Sequence, residues 1–304
     1  MNPGSGDRGS GFAGIELAIR WLLAVISFTS VGFATAEAQE LPIFDTHIHY
    51  SRPAWSVYSP EDVLKIFDRA GVRRALVSST PDDGTLKLYE AAPHRIVPEL
   101  RPYRERADIS SWHSDPTIVP YIEERLRRGI YKGIGEFHLY GGQTNTPVVR
   151  RVTELAVEKG LFLHAHSDEA AIRELFAIES RVKILWAHAG MSSGPAAIGQ
   201  MLDRYPNLWA ELAIRTDMAS GGSLDPEWRA LFLRYPDRVM IGTDTWVTSR
   251  WEALPGYLNE MRAWLNQLPR EVAEKIAFGN AERLFTSGGG TSPIPNVPLR
   301  LRNP

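Results

Sequence analysis

Eight times between Pro42 and Asp244 a short apolar run gives way to a longer amphipathic stretch, and this alternation limits the folds open to the chain. The runs starting at Pro42–Phe44 and at Arg74–Thr80, Ile96–Tyr103, Lys132–Leu139, Leu161–His166, Val182–His188, Leu208–Arg215 and Arg238–Asp244 have the length and β-branched or aromatic content of buried strands. Helices are expected over Ser59–Ala70, Leu86–Ala92, Pro116–Arg128, Pro147–Lys159, Asp168–Ser180, Pro195–Tyr205 and Asp225–Tyr235, with two more near Leu254–Leu268 and Arg270–Leu284. Gly71, Gly129 and Gly160 stand where helix stops are needed. Strand-then-helix units build parallel sheets, because a parallel connection needs a crossover. Eight such units in about 245 residues match a (β/α)8 TIM barrel. A doubly wound open sheet is the rival, but no glycine-rich phosphate loop follows any strand.

A barrel of this kind carries its chemistry at the C-terminal ends of the strands. Polar ligand types occur there five times. His47 and His49 close the first strand, Glu136 and His138 the fourth, His164 and His166 the fifth, His188 the sixth and Asp244 the eighth. Residues two apart on a strand share a face, so each pair projects to one side. Six of the eight histidines stand at these ends, which scattered core or surface histidines would not do; His94 and His113 carry no role. With no cysteine in the chain, a metal must be held by His, Asp or Glu, and imidazole with carboxylate suits zinc or a similar divalent cation. Such a cation lowers the pKa of bound water toward neutral, yielding hydroxide. The strand-four carboxylate can bridge two ions, and the strand-eight carboxylate can take the water's proton and return it to a leaving group. Arg101, Tyr103, Arg215 and Trp246 lie near strand ends and are the expected contacts for a carboxylate or ring of a small-molecule substrate.

The segments Asp45-Thr-His-Ile-His49, Gly135-Glu136, Leu163-His164, Ala187-His-Ala-Gly190 and Gly242-Thr-Asp244 resemble, in order, the motifs of the amidohydrolase superfamily of metal-dependent barrel hydrolases. Phe278-Gly-Asn-Ala-Glu-Arg-Leu-Phe285 is similar to a helix-opening segment of its amidohydrolase-related branch. The resemblance covers roughly residues 41–286. It implies one or two divalent ions, zinc first and manganese as the alternative. His47, His49 and Asp244 would hold one ion, His164 and His188 a second, and Glu136 would bridge them in place of the carbamylated lysine of many relatives. His166 could replace His164, and His138 is left as a substrate or supporting contact. The implied reaction is hydrolysis of an ester, lactone or amide. A single-zinc non-oxidative decarboxylase and a TatD-like phosphodiesterase or nuclease are the alternatives.

A net charge of −2 and the lack of a long basic run argue against a nucleic-acid surface, and 43% hydrophobic residues can fill one large core. Residues 1–38 read as a signal peptide or N-terminal anchor: Arg20 precedes the apolar run Trp21–Ala34, and Ala34-Thr-Ala36 and Ala36-Glu-Ala38 are cleavage candidates. The expected catalytic domain is 39–286, followed by a Gly/Pro-rich disordered tail, 287–304. Export to a bacterial periplasm, no stable membrane span after cleavage and room for a homo-oligomer complete the expectations.

Overall fold

The computed structural model describes residues 40–286; the expected signal segment and tail lie outside them. Eight parallel strands follow one another in chain order: β1 (Ile43–Ile48), β2 (Val72–Val77), β3 (Ile96–Leu100), β4 (Gly133–Leu139), β5 (Phe162–Ser167), β6 (Lys183–Trp186), β7 (Leu208–Glu211) and β8 (Val239–Met240). The ring comes round on itself beyond β8. Thr46 N–H donates to Ile241 O at 3.1 Å, and His49 N–H donates to Thr245 O at 2.9 Å. The result is the (β/α)8 barrel that the alternation demands.

Local chemistry sets the helices between the strands. Ser59 and Asp62 form a reciprocal capping box ahead of helix Pro60–Ala70, and Gly71 ends it at φ 69°. Thr146 caps Pro147–Lys159, with Gly160 at φ 68° as its stop, and Asp168 caps Glu169–Ile178. A buried apolar layer made by Phe44, Leu76, Val97, Phe162, Leu185 and Met240 fills part of the barrel against Ala281 and Phe285 of the last helix, Asn280–Thr286. Those six residues come from six different strands, so the last helix seals the barrel on that side. No helix among the described residues is long and apolar enough to cross a membrane.

Several strands are shorter than the sequence indicates. β6, β7 and β8 stop at Trp186, Glu211 and Met240, not at His188, Arg215 and Asp244. The backbone leaves extended geometry there: His188, Ala189, Ile214 and Asp244 all have positive φ. β3 ends at Leu100, ahead of Pro102. A four-residue helix at Arg52–Trp55, a 3-10 turn at Arg106–Ser110 and a hairpin of Ala219–Ser220 with Ser223–Leu224 have no counterpart in the sequence reading, and the helix expected over Arg270–Leu284 contains a π turn at Lys275–Gly279.

Candidate metal centre

Four side chains meet over the end of β1. His47 Nε2 lies 3.1 Å from His49 Nε2, 3.4 Å from Glu136 Oε2 and 3.5 Å from Asp244 Oδ1. His49 Nε2 lies 3.1 Å from Glu136 Oε2 and 3.2 Å from Asp244 Oδ1. Ligands about 2.0–2.1 Å from a tetrahedral zinc are separated by about 3.3–3.4 Å. Five edges of this tetrahedron are therefore already near the required length, and the donor set fits a zinc-type cation.

The outer nitrogens of four histidines fix which atoms face the centre. His49 Nδ1 is 2.7 Å from Ser78 O, and His188 Nδ1 is 3.0 Å from Ala213 O. A carbonyl only accepts, so both rings carry the proton on Nδ1 and present a bare Nε2. His47 Nδ1 and His164 Nδ1 meet buried carboxylates instead, Glu211 Oε2 and Glu99 Oε2, each at 3.0 Å. Carboxylate–histidine pairs of this kind orient metal-binding imidazoles and raise their basicity. His164 Nε2 and His188 Nε2 are buried and have no hydrogen-bond partner.

The charges are strongly coupled. Burial would lower the basicity of His47, but the carboxylates of Glu136, Asp244 and Glu211 outweigh it and hold the imidazole well above its ordinary range. Burial likewise opposes ionisation of Glu136; the positive charge of His47, with the imidazoles of His166 and His188 close by, overcomes that and keeps it well below the usual carboxylate range. Asp244 falls to about 2, burial being outweighed by His47 and His49. The centre thus keeps its carboxylates ionised around the positive charge of His47, a role that a bound divalent cation would take over.

This order of ligands on barrel strands agrees with a family-level finding: the profile of the amidohydrolase family matches residues 113–286, more than half of the sequence. The chain belongs to the amidohydrolase family. The family is generally metal-dependent, in keeping with the cluster. Solved structures share the barrel: a candidate 2-pyrone-4,6-dicarboxylic acid hydrolase of Pseudomonas putida, at a TM-score of 0.55 and 17% identity, covers 81% of this chain and 97% of its own. A TatD homolog of Escherichia coli, at 0.56 and 18%, covers 80% and 97%. A 5-methylcytosine deaminase of Klebsiella pneumoniae, at 0.50 and 16%, covers 81% and 75%. None of the curated proteins matches the chain.

In this amidohydrolase the expected site residues separate into groups. His47, His49, Glu136 and Asp244 converge, with their ligand atoms within 4.8 Å of one another. His164 converges with His47 and Glu211 rather than with Glu136, and His188 joins none of the groups that converge this closely among the described residues. Even so, His188 Nε2 is 3.4 Å from Glu136 Oε1. His166 Nδ1 is 3.1 Å from that same oxygen, and its ring stacks on His138 at 4.2 Å between centroids. Burial lowers the pKa of His138 to about 4, so this ring is neutral at working pH.

Three residues expected to meet substrate have partners within the protein. Arg101 donates to the backbone oxygen of Glu136 at 2.9 Å and to its Oε2 at 3.0 Å. Tyr103 is fully buried; its hydroxyl accepts from His138 N–H at 2.7 Å and lies 3.2 Å from His138 Nδ1. Arg215 pairs with Asp217 and donates to the carbonyls of His188, Ala189 and Ser193, so it pins the turn after β6. Trp246 remains 41% exposed beside the site.

Sequence reasoning missed Glu99 and Glu211, and also Asp45, whose carboxylate accepts from Thr243 Oγ1 at 2.6 Å and from His47 N–H at 3.1 Å, joining the first and eighth strand ends. The signal was there in Ile96-Val-Pro-Glu-Leu100 and Leu208-Trp-Ala-Glu-Leu212, where a carboxylate sits inside an apolar run. Glycines make the room. A Cβ on Gly133 would stand 2.6 Å from Glu99 Oε1, and one on Gly242 would collide with Glu211 Oε1 and His47 Cβ.

Proposed function

We propose that this amidohydrolase cleaves an ester, lactone or amide bond of a small molecule, with His47, His49, Glu136 and Asp244 holding a divalent cation. Zinc is the first choice and manganese the second. The near-tetrahedral spacing of the four ligand atoms carries the reading. When bound, such an ion acidifies a coordinated water and polarises a carbonyl oxygen.

The protein supplies orientation and proton handling. Asp244, ionised at neutral pH, accepts the proton of the attacking water and returns it to the leaving oxygen or nitrogen. Arg101 holds Glu136 by its backbone oxygen and one carboxylate oxygen, which fixes the carboxylate against the two histidines. Neutral His138, stacked on His166, offers hydrogen bonding to a carbonyl or leaving group without adding charge. A second ion would be held by Glu136 and His188, whose Oε1 and Nε2 stand 3.4 Å apart, with His164 as the further ligand that the family resemblance implies.

A second reading is a single-cation, non-oxidative decarboxylase. It is favoured by one observation: only one four-residue ligand group converges among the described residues. Both readings are tested together. Metal-quantified protein, prepared without chelators and reconstituted with excess zinc or manganese, is screened against lactones, esters, amides, phosphoesters and aromatic carboxylic acids. Hydrolysis that is lost on chelation and restored by the cation supports the proposal. Carbon dioxide release with one ion per chain and no hydrolysis replaces it with the decarboxylase. Full hydrolytic activity in the metal-free protein refutes it.

A further inference from the structure

Six large hydrophobic side chains are markedly exposed among the described residues, and five of them, Val57, Tyr140, Met191, Ile214 and Trp246, lie on loops that leave the C-terminal ends of β1, β4, β6, β7 and β8. Four are joined directly to the centre. The Tyr140 ring meets the His166 ring edge-on at 6.2 Å. Met191 N–H donates to His188 O at 3.0 Å. Ile214 stands between Ala213, which holds His188 Nδ1, and Arg215, which holds the His188 carbonyl. Trp246 follows Asp244 by two residues.

Two of these positions are costly. Met191 and Ile214 have φ of 58° and 60°, a region unfavourable to side chains and most of all to a β-branched one. Glycine or asparagine would make the same turns at less cost. An exposed isoleucine in that conformation, beside the candidate metal centre, puts an apolar side chain at the mouth.

The same mouth carries cations that have no carboxylate partner among the described residues, and one of them, Arg106, is placed against Trp246. Arg104 is tied to Asp108 and Asp115, and this anchors the loop after β3. Arg101 and Arg215 are paired with Glu136 and Asp217. Arg106, two residues along the anchored loop from Arg104, is exposed and has no carboxylate partner among the described residues. Its guanidinium lies 5.9 Å from the centre of the Trp246 ring. β3 and β8 are not neighbours in the ring, since β1 and β2 separate them, so this contact spans the mouth above the His47–His49 end of β1.

We propose that Arg106 and Trp246 form the recognition subsite for an organic anion: a carboxylate pairs with Arg106, and an apolar or aromatic body lies on Trp246 and the rim of Tyr140, Met191 and Ile214. The assignment rests on the hydrolase reading for its meaning as substrate recognition, but it is tested by binding alone. Calorimetric titration of the metal-loaded protein with 2-naphthoate and with its neutral analogue 2-naphthamide measures the charge preference.

A hydrogen bond to a charged group supports a preference of about tenfold or more for naphthoate. Arg106→Ala abolishes that preference and leaves naphthamide affinity unchanged, Arg106→Lys keeps part of it, and Trp246→Ala weakens both probes. The preference persists in chelator-treated protein, which separates Arg106 from a carboxylate bound to the cation. Equal affinities in the wild type, an unchanged preference in Arg106→Ala, loss of the preference on chelation, or no binding of either probe at millimolar concentration each overturns the subsite. None of these outcomes bears on whether the metal centre hydrolyses an ester or amide.

Discussion

Replacing Glu211 by glutamine changes one oxygen to an amide nitrogen, and the surroundings decide the consequence. The Glu211 carboxylate is fully buried and meets three donors: Oε2 faces His47 Nδ1 at 3.0 Å and His188 N–H at 3.1 Å, while Oε1 accepts from Ala213 N–H. A glutamine has one acceptor and one donor end, so no orientation satisfies all three. If the amide nitrogen replaces Oε1, it confronts Ala213 N–H. If it replaces Oε2, it confronts His188 N–H and drives His47 into the other tautomer. The proton then sits on Nε2, the atom that faces His49, Glu136 and Asp244, and the ring can no longer ligate. A buried donor without an acceptor costs about 1–3 kcal/mol. Loss of a carboxylate behind a metal-bound histidine typically weakens cation affinity about 10–100-fold, or about 1.4–2.7 kcal/mol. Competition for zinc against a chromophoric chelator should show Glu211→Gln in that range, and the zinc-dependent rise in melting temperature should shrink accordingly. Affinity within about twofold of wild type, with the fold intact, would refute the claim that Glu211 sets the His47 tautomer.

Gly242→Ala should lose cation binding and activity while the far-ultraviolet dichroism stays that of the wild type, because its Cβ would collide with Glu211 Oε1 and His47 Cβ; normal zinc content would show that the site yields to a methyl group. Asp244→Asn should lower turnover by about 10²–10⁴-fold, measured on whichever panel substrate is cleaved; a loss under tenfold at unchanged metal content removes Asp244 from proton transfer. Glu136→Gln should lose at least one ion by elemental analysis, since a neutral amide lowers the charge that faces His47 and His49; unchanged stoichiometry and affinity would exclude Glu136 as a ligand. We further propose export: protein expressed in a Gram-negative host should begin near Glu37 or Gln39, and an intact Met1 on a soluble cytoplasmic product would exclude cleavage there.

The barrel could be read because its signals are local. Capping at Ser59, Thr146 and Asp168 and stops at Gly71 and Gly160 act within a few residues, so the helices fall close to their expected bounds. The convergence of His47, His49, Glu136 and Asp244 could also be read, because strand order in a barrel converts sequence order into position around one mouth. Strand ends could not. The apolar pattern runs on through Ala187, Leu212 and Ile241, but the backbone departs from β geometry at or just after these positions, and pattern alone does not report φ. The protein partners of Arg101 and Arg215 were not legible for a related reason. A guanidinium near a strand end looks free until the partner carboxylate or carbonyl, here on Glu136 or the turn after β6, is placed beside it.

Glu99 and Glu211 show what a stricter reading of burial would have found. Both stand in runs that periodicity assigns to strand interiors, and a carboxylate is almost never fully buried unless it is paired. The buried bases at strand ends are the histidines and two arginines, Arg101 and Arg215, and these arginines are committed to Glu136 and Asp217. The structure pairs each remaining buried glutamate with a histidine, as Glu99–His164 and Glu211–His47. The glycines at 133 and 242 then acquire a reason, since each vacates the space that one carboxylate fills. On this account the polar layer is as much a packing unit as the apolar layer of Phe44, Phe162 and Met240. A substitution beneath a ligand, such as Gly242→Ala, should be as damaging to the centre as one in the ligand itself.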